Sequence, residues 1–505
     1  MAELHYNDFK KNVRIIQQTG IPKSIDLEKI DQILLILPKK ISNDIWKNIP
    51  QGENLKSLIT KRSSGGLPAI STRLKNEKQT ALHVGKFDPK HDAHECLTSA
   101  RKMIQATSNE RSGIIGIWIL GFNDNNEETI ARAMISAALA AKFMMPEYKS
   151  NAAKEKINSI RLIGVSKKIN LEREIAESHG NNIARWLTAL PANKLDAVNY
   201  IDLLSKLSDD LNWELTVYKT EELKTMGAGA FLAVSQGNED DSAAIVRLKF
   251  KPHNKEVKKT LSLVGKGIIF DTGGSNLKPF NSMLDMHIDM GGSAVALGTL
   301  LTITKLNLPI EVDCWLAITE NRTGPRAYKS QDVVTAANGK TIQTIHTDAE
   351  GRMVLADTLF FAAEEKPDFI IDYATLTGAC MTAVTTRYSG AFTNYPGLHP
   401  TIKRSGFESG ERVWPFPIGK EFMSELASTT ADIKQCSPGG GGDHILAACF
   451  LNEFVDPQIP WIHIDLSAAI NKGGLGHIPS KITGFGIRFS LNLIIERDIL
   501  NTKDE

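Results

Sequence analysis

The sequence predicts an α/β protein made of two α/β domains, the second built on a mostly parallel central sheet with helices on both faces. Three observations lead there. Short apolar runs bounded by turn residues alternate with helical stretches along the whole chain. A polar, helix-like stretch over 168–190 breaks this alternation into two parts. The 505 residues also exceed what one domain of roughly 100–200 residues accommodates.

In the first part, IDQILLILPK, TALHVGKF, GIIGIWILGF and SIRLIGVSK read as buried strands, and EETIARAMISAALAAKFMM reads as a helix between them. INLEREIAESHGNNIARWLTAL reads as a connecting helix that stops at Pro191. This divides the chain into an N-terminal α/β domain over 1–167, a connecting helix over 168–190, and a second, larger domain over 191–505. Within the last, TLSLVGKGIIF is a strand ending in a glycine-rich turn, DMGGSAVALGTLLTITKL a helix and IEVDCWLAITE a strand. TIQTIH is a short strand followed by the helical GRMVLADTLFFAAEE; FIIDYATL and WIHIDLSAA are further strands. The glycine run at 439–442 reads as a loop ahead of the helix ILAACFLNEF. Strand–turn–helix alternation of this kind argues for a parallel sheet whose ligands collect at the carboxyl ends of its strands.

Composition excludes several classes. With 42% hydrophobic and 23% charged residues the chain is neither disordered nor fibrous. A formal net charge of +1 provides no global field for nucleic acid or an anionic membrane. The five cysteines, Cys96, Cys314, Cys380, Cys436 and Cys449, form no CxxC pair, which predicts free thiols. No secretory signal is legible at the N-terminus, and no apolar run approaches the ~20 residues of a membrane span. A cytoplasmic location without membrane attachment is therefore expected.

The residues that carry chemistry cluster at predicted strand ends. Lys266 and Asp271 lie in GKGIIFDTGG, and Lys278, Asp285 and Asp289 follow closely. Asp348, Glu350 and Arg352 alternate in HTDAEGR and, if that piece is extended, face one way. Carboxylates converging on one crevice repel one another unless a cation neutralises them. Oxygen-rich sites suit Mg²⁺, Mn²⁺ and Zn²⁺, and this number of acids exceeds the needs of one ion. Taken singly, Asp271 reads more readily as a helix cap than as a ligand, Asp289 could likewise cap the helix that follows it, and DAEG reads equally as a surface turn. Lys266 within an apolar run is harder to dismiss, because a buried lysine requires partners. The pattern alone supports a metal-dependent hydrolase.

VGKGIIFDTGGSNLKP, DMHIDMGGSA and TDAEGRMVLAD resemble the motifs of the leucyl aminopeptidase (cytosol aminopeptidase) family, with weaker agreement through NNIARWLTALPAN, MGAGAFLAVSQGN, DYATLTGA and WIHIDL, over about residues 175–490. The resemblance implies an aminopeptidase that releases leucine-like residues from peptides through a metal-bridged hydroxide. One of two divalent ions per subunit, Zn²⁺ or Mn²⁺ with Mg²⁺ as a third choice, would be held by Lys266, Asp271, Asp289 and Glu350. The other would be held by Asp271, Asp348 and Glu350. Lys278 would stabilise the oxyanion, and Arg352 would hold a bicarbonate acting as general base. Met286, Thr375 and Gly378 match positions that line the pocket for the first side chain, and a homohexamer is implied. The sequence departs from the family pattern at His287, His346, Met353 and ENRTGPRAYKSQ, none of which is a ligand or catalytic position. Two rival readings are an architectural DNA-binding role, which the net charge does not favour, and a catalytically silent relative, which the complete ligand set argues against.

Other candidates read as ordinary structure. His83, His91, His94 and Cys96 fit a solvated surface better than a zinc site, and Asp443-His444 after the glycines fits a loop better than a catalytic base. No GK[ST] phosphate loop, dinucleotide fingerprint or GxSxG elbow is present.

Overall fold

A computed structural model of the chain describes residues 13–61, 70–107, 113–151, 157–439 and 441–501. The first sheet has six strands, β1 (Arg14–Thr19), β2 (Gln32–Pro38), β3 (Ile70–Arg73), β4 (Ala81–Phe87), β5 (Gly113–Ile119) and β6 (Ile157–Val165), in the order β1-β6-β5-β2-β4-β3. Neighbours are parallel except β3, which runs antiparallel to β4. The central β2 is buried on both faces, which is why QILLILP reads as an unbroken apolar run. The edge strands RIIQQT and ISTR are half-exposed and polar, and their sequences carry no comparable signal. Helices α1 (Ala93–Ala106) and α2 (Asp124–Lys142) pack together on one face of this sheet. They start where the side chains of Asp92 and Asn123 accept from the backbone N–H of Glu95 and Asn126, at 2.9 and 3.0 Å.

By compactness the chain divides inside α3 (Glu172–Ala189), between Ser178 and His179, and the segment Lys472–Lys481 groups with the N-terminal unit. Arg101 of α1 accounts for that return: its Nη1 donates to the carbonyls of Gly473 (2.7 Å) and Ile478 (3.2 Å).

The C-terminal unit contributes β7 (Glu214–Lys219), β8 (Ala244–Phe250), β9 (Lys259–Asp271), β10 (Ile310–Asn321), β11 (Val333–Thr335), β12 (Thr341–Gln343), β13 (Phe369–Ala374), β14 (Ser389–Thr393), β15 (Val413–Pro415), β16 (Ile433–Lys434) and β17 (Trp461–Asp465). Eight of these form the main sheet, in the order β15-β14-β17-β13-β9-β10-β8-β7, and β11-β12-β16 form a small separate one. The centre, β17-β13-β9-β10, is parallel, while β8, β7 and β14 run antiparallel to their inner neighbours.

Helices cover both faces, as expected. Helix α4 (Gly291–Leu306) lies on one face, so close to β13 that a Cβ on Gly292 would sit 2.1 Å from the Tyr373 carbonyl oxygen. Helix α5 (Glu350–Glu364) lies on the other, over Lys266 of β9. Residues Gly291–Ile303 of α4 are all buried, so the helix is apolar all round rather than on one stripe. For that reason the run Phe280–Leu306 reaches the length and apolarity of a membrane span, contrary to the expectation that none would; 83% of its most apolar window is buried inside the protein, which marks a core helix.

Candidate metal centre

β9 delivers the first group. Lys266 is 2% exposed and its stem passes beneath α5, where a Cβ on Gly351 would lie 2.7 Å from Lys266 Nζ. A side chain at 351 would crowd the buried end of Lys266, so DAEG packs against Lys266 and is not a simple surface turn. Lys266 Nζ lies 2.8 Å from both Asp289 Oδ2 and Glu350 Oε1 and donates to the Thr375 carbonyl at 3.0 Å. At the end of the same strand the chain turns through Gly273 and Gly274, at φ +86° and +65°. Asp271 Oδ1 accepts there from the Gly273 N–H and from Asn321 Nδ2, each at 2.8 Å. From the following loop Lys278 reaches back, its Nζ 2.8 Å from Asp271 Oδ2 and 2.5 Å from Asp348 Oδ1.

Asp289 does not cap α4, whose N-cap Met290 makes no side-chain cap bond. Its Oδ1 instead accepts from Thr375 Oγ1 at 2.6 Å. Glu350 is the first residue of α5, where the helix dipole favours a negative charge. That corrects the extended reading of 348–352. Glu350 and Arg352, two apart on a helix, do not face one another. Arg352 turns to Asp443 and is not among the residues lining the cavity described below.

Carboxylate oxygens of Asp271, Asp348 and Glu350 come within 4.8 Å of one another, the one such convergence of metal-capable side chains among the described residues. Four carboxylates (Asp271, Asp289, Asp348, Glu350) face two ammonium groups (Lys266, Lys278), a shortfall of two positive charges. The electrostatics reflect it. Burial and then the charge of Asp271 push the Glu350 carboxyl up to about 8. Burial and Asp289 likewise raise Asp271. Burial by itself would depress Lys266, but Asp289, Glu350 and Asp271 outweigh it and hold the ammonium charged. A buried, oxygen-rich cluster that is short of cationic charge fits divalent ions.

The cluster opens into a cavity of about 520 Å³. Met286, Thr375 and Gly378 line it, together with Met381, Leu466 and Ile470. Gly378 begins the helix Gly378–Val384, and a Cβ there would meet nothing within 4 Å.

The model of the cytosol aminopeptidase family, catalytic domain, matches residues 182–491. The chain belongs to the cytosol aminopeptidase family. A protein of Aquifex aeolicus named "Probable cytosol aminopeptidase" is 36% identical over 372 residues, 73% of this chain and 74% of its own length. One of the same name from Prochlorococcus marinus is 34% identical over 453 residues, 88% and 90% of the two chains. A variant of tomato leucine aminopeptidase shares the fold, with a TM-score of 0.83 over 96% of this chain and 97% of its own at 24% identity. The bottromycin maturation enzyme BotP, solved in complex with Mn, aligns with a TM-score of 0.80 over 93% of this chain and 100% of its own at 26% identity. Family membership makes the protein a metal-dependent aminopeptidase, a hydrolase acting on peptides.

Sequence reasoning overlooked two residues of the site, Asn321 and Asp465, and read a third, Asp443, as loop although it begins the helix Asp443–Asn452. Asn321, at the end of β10, orients Asp271 and also donates to the Thr347 carbonyl at 3.0 Å. Asp465, at the end of β17, accepts from the Leu376 N–H and from Thr377 Oγ1 at 3.1 and 2.7 Å and lines the cavity. Asp443 pairs with Arg352. The first two stand at strand ends, a signal that was available; nothing local pointed Asp443 to Arg352. His346 is exposed and accepts from the Asp348 N–H through Nδ1 at 3.3 Å, so it shapes the turn that carries Asp348. In the N-terminal unit His83 is buried rather than on a solvated surface and pairs through Nδ1 with Ser71 Oγ, and Cys96 is buried too, which raises its thiol to about 11. All five cysteines are buried and free.

Proposed function

We propose that the protein removes N-terminal residues, leucine-like ones by preference, from peptides with two divalent ions held by Lys266, Asp271, Asp289, Asp348 and Glu350. The observation that carries this reading is the cluster of four carboxylates around two lysines at the floor of a cavity with an apolar wall. Zn²⁺ and Mn²⁺ suit its mixed oxygen and amine donors, with Mg²⁺ a third choice. When bound, the ions supply an activated water and positive charge for the scissile carbonyl. Lys266 then has to surrender its proton, since only a neutral amine ligates.

The chain's own groups do the rest. Lys278, free to leave Asp271 and Asp348 once ions neutralise them, stabilises charge developing on the carbonyl oxygen. Thr375 fixes Asp289 through its hydroxyl, and Asn321 fixes Asp271. Met286, Thr375 and Gly378 receive the first side chain, and the absence of a Cβ at Gly378 leaves room for a branched one. By resemblance the assembly is a cytoplasmic homohexamer in which the N-terminal unit serves association; the bicarbonate that the resemblance expects at Arg352 meets a guanidinium already paired with Asp443.

Hydrolysis of leucine p-nitroanilide, with metal content measured on the same sample, tests the reading. Asp348→Ala and Glu350→Ala are expected to bind fewer than two ions per chain and to lose hydrolysis. Full activity in either variant, or in native protein after chelation, would refute it. An oligomer other than a hexamer in solution would remove the assembly part alone.

A further inference from the structure

Arg352 is 1% exposed, and a buried charge of that kind is costly unless it is paired and hydrogen-bonded. The anion is already present in the chain. Both carboxylate oxygens of Asp443 accept from Arg352 Nη2, at 2.9 and 2.8 Å, and Nη1 donates to the Gln435 carbonyl at 3.2 Å. Of the guanidinium nitrogens only Nε, itself buried, makes no hydrogen bond among the described residues. A planar anion such as bicarbonate is gripped by two parallel N–H donors. No adjacent pair of donors is left for it here. A free anion at Arg352 would also sit beside Asp443 and near Glu350, two like charges in a buried setting. The residues present therefore do not fit a bicarbonate.

We propose that Asp443 is the resident anion of Arg352, so that this enzyme carries in its own chain the carboxylate for which the family resemblance reserves a free bicarbonate. The proposal rests on the metallopeptidase reading above. Local structure supports the arrangement. Asp443 is the first residue of the helix Asp443–Asn452, where a negative charge is favoured, and Gly442 in front of it turns at φ +64°. Its side chain stays 27% exposed while that of Arg352 is 2% exposed, so the carboxylate bridges a buried cation and solvent. Asp443 thus acts as a positioning residue: it satisfies and orients Arg352 without a ligand that must be drawn from solution.

The test compares native and Asp443→Ala enzyme, loaded with Mn²⁺, in carbonate-free buffer with and without millimolar bicarbonate. Native kcat/KM on leucine p-nitroanilide is expected to be unchanged by bicarbonate. The variant is expected to lose roughly tenfold or more and to regain activity with bicarbonate or formate. A second arm needs no catalysis: bicarbonate should raise the unfolding temperature of metal-free Asp443→Ala protein and leave that of native protein unmoved. Asp443→Asn, which keeps the shape and removes the charge, replaces the alanine variant should that not fold. Bicarbonate stimulation of native enzyme overturns the proposal. A variant that loses activity but responds to bicarbonate in neither arm also overturns it, since Asp443 would then be structural only. Hydrolysis that survives chelation would instead sink the metallopeptidase reading, and the thermal arm would still decide the Asp443–Arg352 question.

Discussion

Lys266 and Glu350 show how single residues at this centre are held in protonation states that an ion must change. Without ions Glu350 keeps its proton up to about pH 8 and Lys266 stays an ammonium, yet both have to be deprotonated to ligate. Ion uptake should therefore release protons, and Mn²⁺ affinity should fall as pH drops below 8, by up to about tenfold per unit for each proton displaced. Titration calorimetry in buffers of different ionisation enthalpy reads this directly; uptake without proton release would contradict it. Asn321 offers a second test. Its Nδ2 holds Asp271 Oδ1 at 2.8 Å, and Asn321→Ala is expected to weaken metal affinity roughly 10–100-fold while leaving all five proposed ligands in place. For the pocket, Met286→Ala should lower kcat/KM for leucine by about tenfold with little effect on glycine substrates. Equal losses across leucine, alanine and glycine would show that Met286 does not shape the pocket.

At the level of elements, the centre depends on how closely two helices approach the sheet. Gly351 lets Lys266 pass beneath α5, and Gly292 lets α4 rest on β13. Gly292→Ala would force Cβ into the Tyr373 carbonyl, which is backbone and cannot swing aside. The expected result is a loss of about 1–3 kcal/mol of stability and a displaced Asp289, seen as a lower apparent unfolding temperature together with weaker metal binding. A variant with native values for both would show that α4 can shift at no cost. The same level explains where sequence reading succeeded. β2, β5, β9 and β13 are central and buried on both faces, so their apolar runs are visible. β1, β3 and β7 are edge strands, half-wet and polar, and carry little local signal.

For the whole chain, the division into units is not a division of the sequence into consecutive pieces. Lys472–Lys481 comes from late in the chain and belongs with the N-terminal unit, bound through Arg101 to two carbonyls. Arg101→Ala removes both hydrogen bonds and is expected to cost about 1–3 kcal/mol. Limited proteolysis should then cut within 472–481 faster than in native protein, while leucine p-nitroanilide hydrolysis is largely kept. Unchanged cleavage would mean that other contacts hold the segment.

The sequence by itself determined the fold class, the family, and the cluster of Lys266, Asp271, Lys278, Asp289, Asp348 and Glu350. Those residues lie in a few short motifs whose spacing is local and whose side-chain types have little other use inside an apolar core. Only the tertiary structure decided the partners. Asn321 meets Asp271 across 50 positions, Thr375 meets Asp289 across 86, and Asp443 meets Arg352 across 91. Contacts at such separations are set by the order of strands in the sheet and by which helix lies on which face, not by any local pattern. Arg352 is the clearest instance: its motif suggested a free anion from solution, and the fold brought it a carboxylate from the chain.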